Sequence, residues 1–221
     1  MLQEAAGAHA AELGVAMETL IDDGMAWVLS HLRLEVARWP GAADEIVVTT
    51  WPDAANRLFT ERRFEVTDPV GEVLASASTL WLVLDFERRR PMRFPPAVLD
   101  VLSRHDLGSQ PMKPPRLEAP DPADCELVFT VRRSDLDLVD HVNNTSYVEW
   151  AIEAVPDRVW LGHELAELDI SYLSECHHGQ TVVSLSQTAD ADGGCVVRHQ
   201  IARREDGEVV ARARSGWRSL A

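Results

Sequence analysis

Cysteine is scarce in this chain, and the cysteines that occur are far apart. Cys125, Cys176 and Cys195 form no CxxC pair, which argues against a structural zinc site or a redox couple. An odd number of isolated thiols favours a reducing compartment, so a cytoplasmic location is expected. No metal ion and no cofactor are expected.

Long apolar runs and positive charge are also lacking. No apolar run is long enough to cross a bilayer, and the opening MLQEAAGAHAAEL lacks the basic start and apolar centre of a signal peptide. The 21 Lys and Arg residues are outnumbered by 36 Asp and Glu, giving a formal net charge of -15. Such a field repels nucleic acid and anionic membranes, so a small molecule or a protein is the expected partner.

The 221 residues, 46% of them hydrophobic, carry patterns of both helix and strand. Strong helix formers, or a Pro start, and nearby stop signals predict short helices over residues 2–13, 17–23 and 96–103. Segments rich in Val, Leu, Thr and Trp, separated by Gly and Pro turns, predict antiparallel strands. These segments are 25–39, 44–51, 56–68, 71–86, 126–133, 164–176, 180–189, 195–205 and 208–220.

The two halves of the chain repeat each other. GEVLASASTLW at Gly71 to Trp81 matches GEVVARARSGW at Gly207 to Trp217, and the surrounding strand patterns align at the same offset. A repeat of this size predicts a duplicated domain. Eight of the twelve prolines lie between Pro91 and Pro122. The predicted organisation is therefore a domain at 1–90, a Pro-rich linker at 91–124 and a domain at 125–221.

The stretch from Val131 to Pro156 predicts a strand, a polar corner and a short helix. Only Glu149 and Glu153 are polar between Val148 and Val155, so this helix needs cover on nearly all sides, as from a sheet curled around it. Its start carries carboxylates, an imidazole and Asn caps beside the positive end of the helix dipole. Such a corner can bind and polarise a carbonyl oxygen. Its polar residues are Asp137, Asp140, His141, Asn143 and Asn144.

The motif SDLDLVDHVNN..Y.EW..E.VP, with SEC downstream and LQEAAGAHA and TWP near the start, resembles the acyl-acyl carrier protein thioesterases. The resemblance spans nearly the whole chain. It implies an α+β fold of two tandem hotdog domains, each an antiparallel sheet wrapped round a central helix, and hydrolysis of fatty acyl thioesters on acyl carrier protein to free fatty acid. The N-terminal domain would bind the acyl chain and the C-terminal domain would be catalytic; a homodimer is left open.

The same resemblance assigns catalysis to Asp137, His141 and Glu175, with Cys176 as an older candidate nucleophile. Asn143 and Asn144 are predicted as helix caps and substrate-binding residues. Either Asp137 or Glu175 would act as the base, and backbone N–H groups of the first helical turn would polarise the thioester carbonyl. Glu175 and Cys176 are adjacent at a predicted strand end, where successive side chains face opposite sides, so only one can enter the site. Glu175 is favoured, because nearby carboxylates would raise the thiol pKa.

Two departures from the family pattern affect this expectation. Val139 stands where the family has Asn, and the edge strand that precedes LQEAA in the family is missing, for which a start upstream of Met1 is the preferred explanation. Two alternatives therefore stay open: an acyl-coenzyme A thioesterase and a noncatalytic acyl-binding hotdog protein. The sequence also leaves the acyl chain length open.

Two further groups of side chains have competing interpretations. Cys176, His177 and His178 look like metal ligands, but adjacent turn residues diverge, so a solvated turn is favoured. Arginine clusters are candidates for receiving an acidic carrier protein, although a solvated strand end is the commoner use of such residues. They are Arg62 with Arg63, Arg88 to Arg90 with Arg93, and Arg203 with Arg204.

Overall fold

The computed structural model describes residues 1–108, 110–137 and 139–220. The chain divides into two compact units, Met1–Lys113 and Pro114–Ala221. None of the helices in these ranges is long and apolar enough to cross a membrane. The segment between residues 91 and 113, predicted as part of a linker, belongs to the first unit.

Unit 1 is an antiparallel sheet with three helices. The helices follow the predicted ranges closely, and the four predicted strands are joined by a short fifth one that pairs with β4. The sheet order is β2-β3-β4-β1. The elements are α1 (Leu2–Glu12), α2 (Met17–Asp22), β1 (Met25–Val36), β2 (Val47–Ala55), β3 (Thr60–Thr67), β4 (Val73–Asp85), β5 (Arg90–Met92) and α3 (Pro96–Ser103).

Two apolar clusters hold unit 1 together. Ala6 of α1 packs with Phe64 and Ala77 of the sheet. Helix α3 contributes Val98 and Val101 to a cluster with Val15, Leu20, Val83 and Phe94.

Unit 2 is an antiparallel sheet of order β7-β10-β9-β8-β6 around one apolar helix. Its strands fall within one or a few residues of the predicted segments, while the single-turn helix α5 was not predicted. The elements are β6 (Cys125–Thr130), α4 (Asn144–Glu153), α5 (Asp157–Trp160), β7 (His163–Tyr172), β8 (Thr181–Ala191), β9 (Gly194–Arg203) and β10 (Val209–Ser219).

Helix α4 has the burial expected from its apolar circumference. Tyr147, Trp150 and Ala151 are buried, whereas Glu149 and Glu153 are exposed. Phe129 of β6 stacks on Trp150 with ring centroids 6.0 Å apart. The sheet also bonds the helix, since the Ser184 and Ser186 hydroxyls of β8 donate to the Trp150 and Ala154 carbonyls. This packing fixes the position of the helix start.

The sequence repeat is visible in the strand boundaries. The offset that aligns Gly71 with Gly207 also aligns the first residues of β4 and β10, and the last residues of β1, β2 and β3 with those of β7, β8 and β9. In both units the tryptophan of the repeat donates to a hydroxyl two residues earlier: Trp81 to Thr79 and Trp217 to Ser215, each at 2.8 Å. The units therefore share local structure as well as sequence.

Candidate active site

The polar corner ahead of α4 is organised by Asp137. Its Oδ1 accepts the backbone N–H groups of Val139 at 2.9 Å and His141 at 3.1 Å. The Asp137 N–H in turn donates to the His141 carbonyl at 2.8 Å. Asp140 adopts φ +60, a left-handed conformation that Asp tolerates better than most residues. The sequence thus folds locally into a tight turn that presents the His141 side chain.

An ion pair between the buried Asp135 and the exposed Arg132 fixes the chain before this turn. Asp135 is 3% exposed and accepts the Arg132 guanidinium at 2.8 Å and the Arg132 backbone N–H at 2.7 Å. Burial works against the charge of Asp135, but the hydrogen bonds and charge of Arg132 outweigh it and lower the pKa of that carboxyl. The Asp135 carbonyl then accepts the Asn143 N–H at 2.8 Å. The corner is therefore tied at both ends.

Asn143 is the N-cap of α4, as predicted. Its side-chain oxygen accepts from the Thr145 N–H at 3.0 Å and the Thr145 hydroxyl at 2.9 Å. The N–H groups of residues 142, 143 and 146 bond to backbone carbonyls. Among the described residues, none accepts the Asn144 N–H. One donor of the first turn is thus left for a ligand, rather than the several that the sequence suggested.

Glu175 lies against His141. The Glu175 Oε2 is 3.6 Å from His141 Nε2, and Oε1 is 3.7 Å from His177 Nε2. The two imidazole rings meet edge-on with centroids 5.0 Å apart. The structure therefore brings together His141 and Glu175, two of the predicted site residues. Asp137 joins them through the His141 backbone.

Cys176 faces away from this group. Glu175 is partly exposed whereas Cys176 is buried, as expected if their side chains face opposite sides. Both residues nevertheless lie in an irregular segment beyond the end of β7 at Tyr172. Cys176 is fully buried, and burial raises the pKa of its thiol. The thiol lies near Tyr147, a residue of α4 whose pKa is raised by burial and by Cys176. A buried neutral thiol is a poor nucleophile.

Two residues of this neighbourhood were expected in other roles from the sequence, and their contacts with Glu175 were not predicted. His177 shares Glu175 with His141; the signal was its spacing of two residues from Glu175, which places both side chains on one side of an extended segment. Arg203, at the end of β9, donates to the Glu175 carbonyl at 2.7 Å and pairs with Asp206 at 2.9 Å. It also pairs with Glu208. Only the fold brings Arg203 to Glu175.

The chain has two tandem units, each with an antiparallel sheet packed against helix, and acidic and imidazole groups lie at the start of α4 in the second unit. These features define a double hotdog protein of the thioesterase type. Family comparison agrees with this class. Residues 1–102 match the model of the acyl-ACP thioesterase N-terminal domain, and residues 118–219 match that of the C-terminal domain. The chain belongs to the acyl-ACP thioesterase family.

Curated relatives and solved structures carry the same family name. The chain is 30% identical over 200 residues to a chloroplastic palmitoyl-acyl carrier protein thioesterase of Cuphea hookeriana, covering 87% of this chain and 48% of that protein. It is also 30% identical over 208 residues to a chloroplastic oleoyl-acyl carrier protein thioesterase of Coriandrum sativum, covering 84% and 55%. The chain thus spans about half the length of these relatives.

Two solved structures show the likeness in three dimensions. The 12:0-ACP thioesterase of Umbellularia californica has a TM-score of 0.86 at 27% identity, covering 99% of this chain and 87% of that one. An acyl-ACP thioesterase of Bacteroides thetaiotaomicron has a TM-score of 0.81 at 25% identity, covering 96% and 84%. The likeness therefore extends across both units.

Proposed function

We propose that this protein hydrolyses fatty acyl thioesters carried on acyl carrier protein and releases the free fatty acid. The observation that carries the proposal is the Asp137, His141 and Glu175 group at the start of α4, in a chain of the acyl-ACP thioesterase family. The relatives named above act on palmitoyl, oleoyl and 12:0 thioesters of the same carrier. A cytoplasmic location is part of the proposal and is supported by three free cysteines.

The proposed reaction uses water as the nucleophile. Glu175, with His141 beside it, takes a proton as the water oxygen bonds to the thioester carbonyl carbon. Asp137 holds His141 through its backbone, and its second oxygen, which no described residue engages, orients the water. The Asn144 N–H at the helix start stabilises the oxyanion. Collapse of the tetrahedral intermediate breaks the C–S bond, and the leaving thiolate takes the proton from Glu175, which restores the base.

The thiol mechanism is disfavoured by the same geometry. Attack by Cys176 would need an exposed thiolate next to a base. The thiol is instead fully buried and has a raised pKa. We therefore assign Cys176 to packing and the base to Glu175.

The carrier is proposed from surface charge as well as from family. Of the three arginine clusters, Arg62 is largely buried against His9 and Thr50, and Arg203 is committed to Glu175 and two carboxylates. Arg88, Arg89, Arg90 and Arg93 are exposed on the segment around β5, where Arg88 pairs with Asp85 at 2.9 Å. This cluster offers an acidic carrier protein a positive surface on an otherwise acidic molecule.

Hydrolysis of acyl carrier protein and coenzyme A thioesters of matched acyl length tests the proposal. We expect a higher kcat/KM on the carrier protein thioester, and Arg90→Glu with Arg93→Glu should raise its KM several-fold while leaving the coenzyme A reaction nearly unchanged. Arg57→Glu, at an exposed turn of unit 1, is the matched control.

Faster turnover of the coenzyme A thioester would favour that carrier. Binding without turnover, restored by Val139→Asn, would identify a noncatalytic acyl-binding protein.

A further inference from the structure

Three side chains at the corner converge as metal ligands do. One nitrogen of His141, one of His177 and an oxygen of Glu175 all lie within 4.8 Å of one another. We call these residues the His141–Glu175–His177 cluster. Each Glu175 oxygen has a different imidazole as neighbour, at 3.6 and 3.7 Å. The carboxylate is therefore placed between two nitrogen ligands.

This cluster differs from the trio that the sequence suggested. Cys176 is fully buried and does not belong to the cluster, so its sulfur is unavailable to an ion near His177. His178 is exposed and does not belong to the cluster. The third ligand is His141, which lies 36 positions before His177 and reaches it only through the fold.

The spacing suits a tetrahedral ion. With bonds of about 2.0–2.1 Å from zinc to His nitrogen or carboxylate oxygen, neighbouring ligand atoms lie roughly 3.3 Å apart. The nitrogen to nearest oxygen distances are 3.6 and 3.7 Å, and one Glu175 oxygen and the two nitrogens all lie within 4.8 Å of one another. Small side-chain rotations would bring the ligands to an ion at their centre.

The backbone at each ligand is already fixed. The His141 N–H is held by Asp137 at 3.1 Å, and the His177 N–H by the Gln180 side chain at 2.8 Å. The Glu175 carbonyl accepts from Arg203 at 2.7 Å. Prior ordering of all three ligands reduces the entropy that metal binding would otherwise cost.

The donor set selects the class of metal. Two imidazoles and one carboxylate suit Zn²⁺, whereas Mg²⁺ and Ca²⁺ prefer oxygen ligands. The side chains of His141, Glu175 and His177 are 37, 31 and 47% exposed, so an ion can enter and a water can complete the tetrahedron. We propose that the His141–Glu175–His177 cluster binds one Zn²⁺ and that the bound ion inhibits thioester hydrolysis.

The inhibitory half of this inference rests on the proposed function. Zn²⁺ on Glu175 occupies the oxygen lone pairs that would accept the proton of the attacking water. Zn²⁺ on His141 removes the imidazole from the same reaction. His177 has no part in the proposed hydrolysis, so its removal separates metal binding from turnover.

Direct metal binding tests the site without any substrate. Full-length, chelator-stripped protein without a polyhistidine tag is titrated with Zn²⁺ in competition with a chromophoric chelator, and with Co²⁺ as a visible-absorption probe. We expect one ion per chain, with affinity falling at least about 10- to 100-fold in His177→Asn and in Glu175→Gln, since loss of even an outer partner of a ligand has such an effect. His178→Asn, the adjacent histidine, should bind as the wild type does. Equal binding by wild type and His177→Asn would overturn the site.

Activity then tests inhibition. Zn²⁺ should suppress hydrolysis by the wild type and by His178→Asn, and a chelator should restore it. Measured against its own metal-free turnover, the His177→Asn variant should need at least about tenfold more Zn²⁺ for the same fractional suppression. Equal sensitivity of His177→Asn, or a rise in turnover with Zn²⁺, would overturn the inhibitory half. Stripped wild type that binds Zn²⁺ but hydrolyses nothing would instead refute the proposed function and leave the metal site standing.

Discussion

The Asp137 carboxylate has two separable uses. Its Oδ1 caps the turn by accepting the Val139 and His141 N–H groups, and in the proposed reaction its other oxygen orients the water as a charged acceptor. Asp137→Asn keeps an acceptor oxygen and removes the charge, so turnover should fall by roughly 100-fold or more while the free energy of unfolding changes by less than about 0.5 kcal/mol. Asp137→Ala also loses the cap and should cost about 1 kcal/mol of stability. Single-turnover rates and urea unfolding measure the two effects; wild-type turnover in Asp137→Asn would reject a role for the charge.

Glu175 and Cys176 give an opposite pair of expectations. Glu175→Gln should lower kcat by roughly 10²- to 10⁴-fold with little change in fold, because a proton acceptor is lost at a partly exposed position. Cys176→Ala should change kcat only slightly but lower the melting temperature, because a fully buried side chain and its contact with Tyr147 are lost. Steady-state kinetics and thermal unfolding of both variants provide the measurement. The reverse ranking of kcat would restore the thiol mechanism.

The sequence predicted the residues of the polar corner better than it predicted the contacts made with residues distant along the chain. Asp137, His141 and Asn143 lie within one short motif, so local turn and capping rules describe their contacts well. The Glu175 partner Arg203 is 28 residues away along the chain, and a pairing across the fold has no local signal. The two-residue spacing of Glu175 and His177 did predict that their side chains share one side of an extended segment, but His177 was grouped with its neighbour His178 instead.

Helix α4 is held by the sheet through hydrogen bonds as well as apolar contacts. Ser186→Ala would leave the buried Ala154 carbonyl without its partner and should destabilise the protein by about 1–3 kcal/mol. Ser219→Ala, at an exposed position of β10, should change stability by less than about 0.5 kcal/mol. Chemical denaturation compares the two serines. Equal stability of both variants would show that the Ser186 hydrogen bond adds nothing to the stability of the helix packing.

The longer elements could be predicted because their patterns are strong. Strands such as β4 and β10 are rich in Val and Ala and carry a Trp, and they follow clear turn residues. The missed elements are short and depend on tertiary contacts. Strand β5 is three residues with Pro91 at its centre and exists through its pairing with β4. Helix α5 is a single turn after Pro156, anchored by the buried Val159.

The stability of the whole chain should fall on mild acidification because of His199. This residue is fully buried in β9, contacts the Ser215 hydroxyl at 2.8 Å, and has its pKa lowered by burial to about 4. Between that value and about 6.5 the unfolded chain binds a proton that the native state does not, so native stability is retained above about pH 6.5 and is lost as pH falls towards 4. The loss is on the order of 3 kcal/mol.

A pair of histidine variants isolates this effect. The pH dependence of unfolding free energy between pH 7 and 5 should be shallower in His199→Gln than in the wild type. His178→Gln, at an exposed position, should keep the wild-type slope. Urea denaturation at several pH values provides the comparison. An unchanged slope in His199→Gln would mean that His199 is not the group responsible.

The hydrogen bond from Arg203 to the Glu175 carbonyl links the hairpin after β9 to the proposed base. That arginine is itself oriented by Asp206 and Glu208, on either side of Gly207 with its φ of +71. Changes confined to the bend between the last two strands should therefore alter how fast the protein works, because they act on Glu175 through Arg203. Variation or engineering there offers a way to adjust rate while every reacting group stays the same.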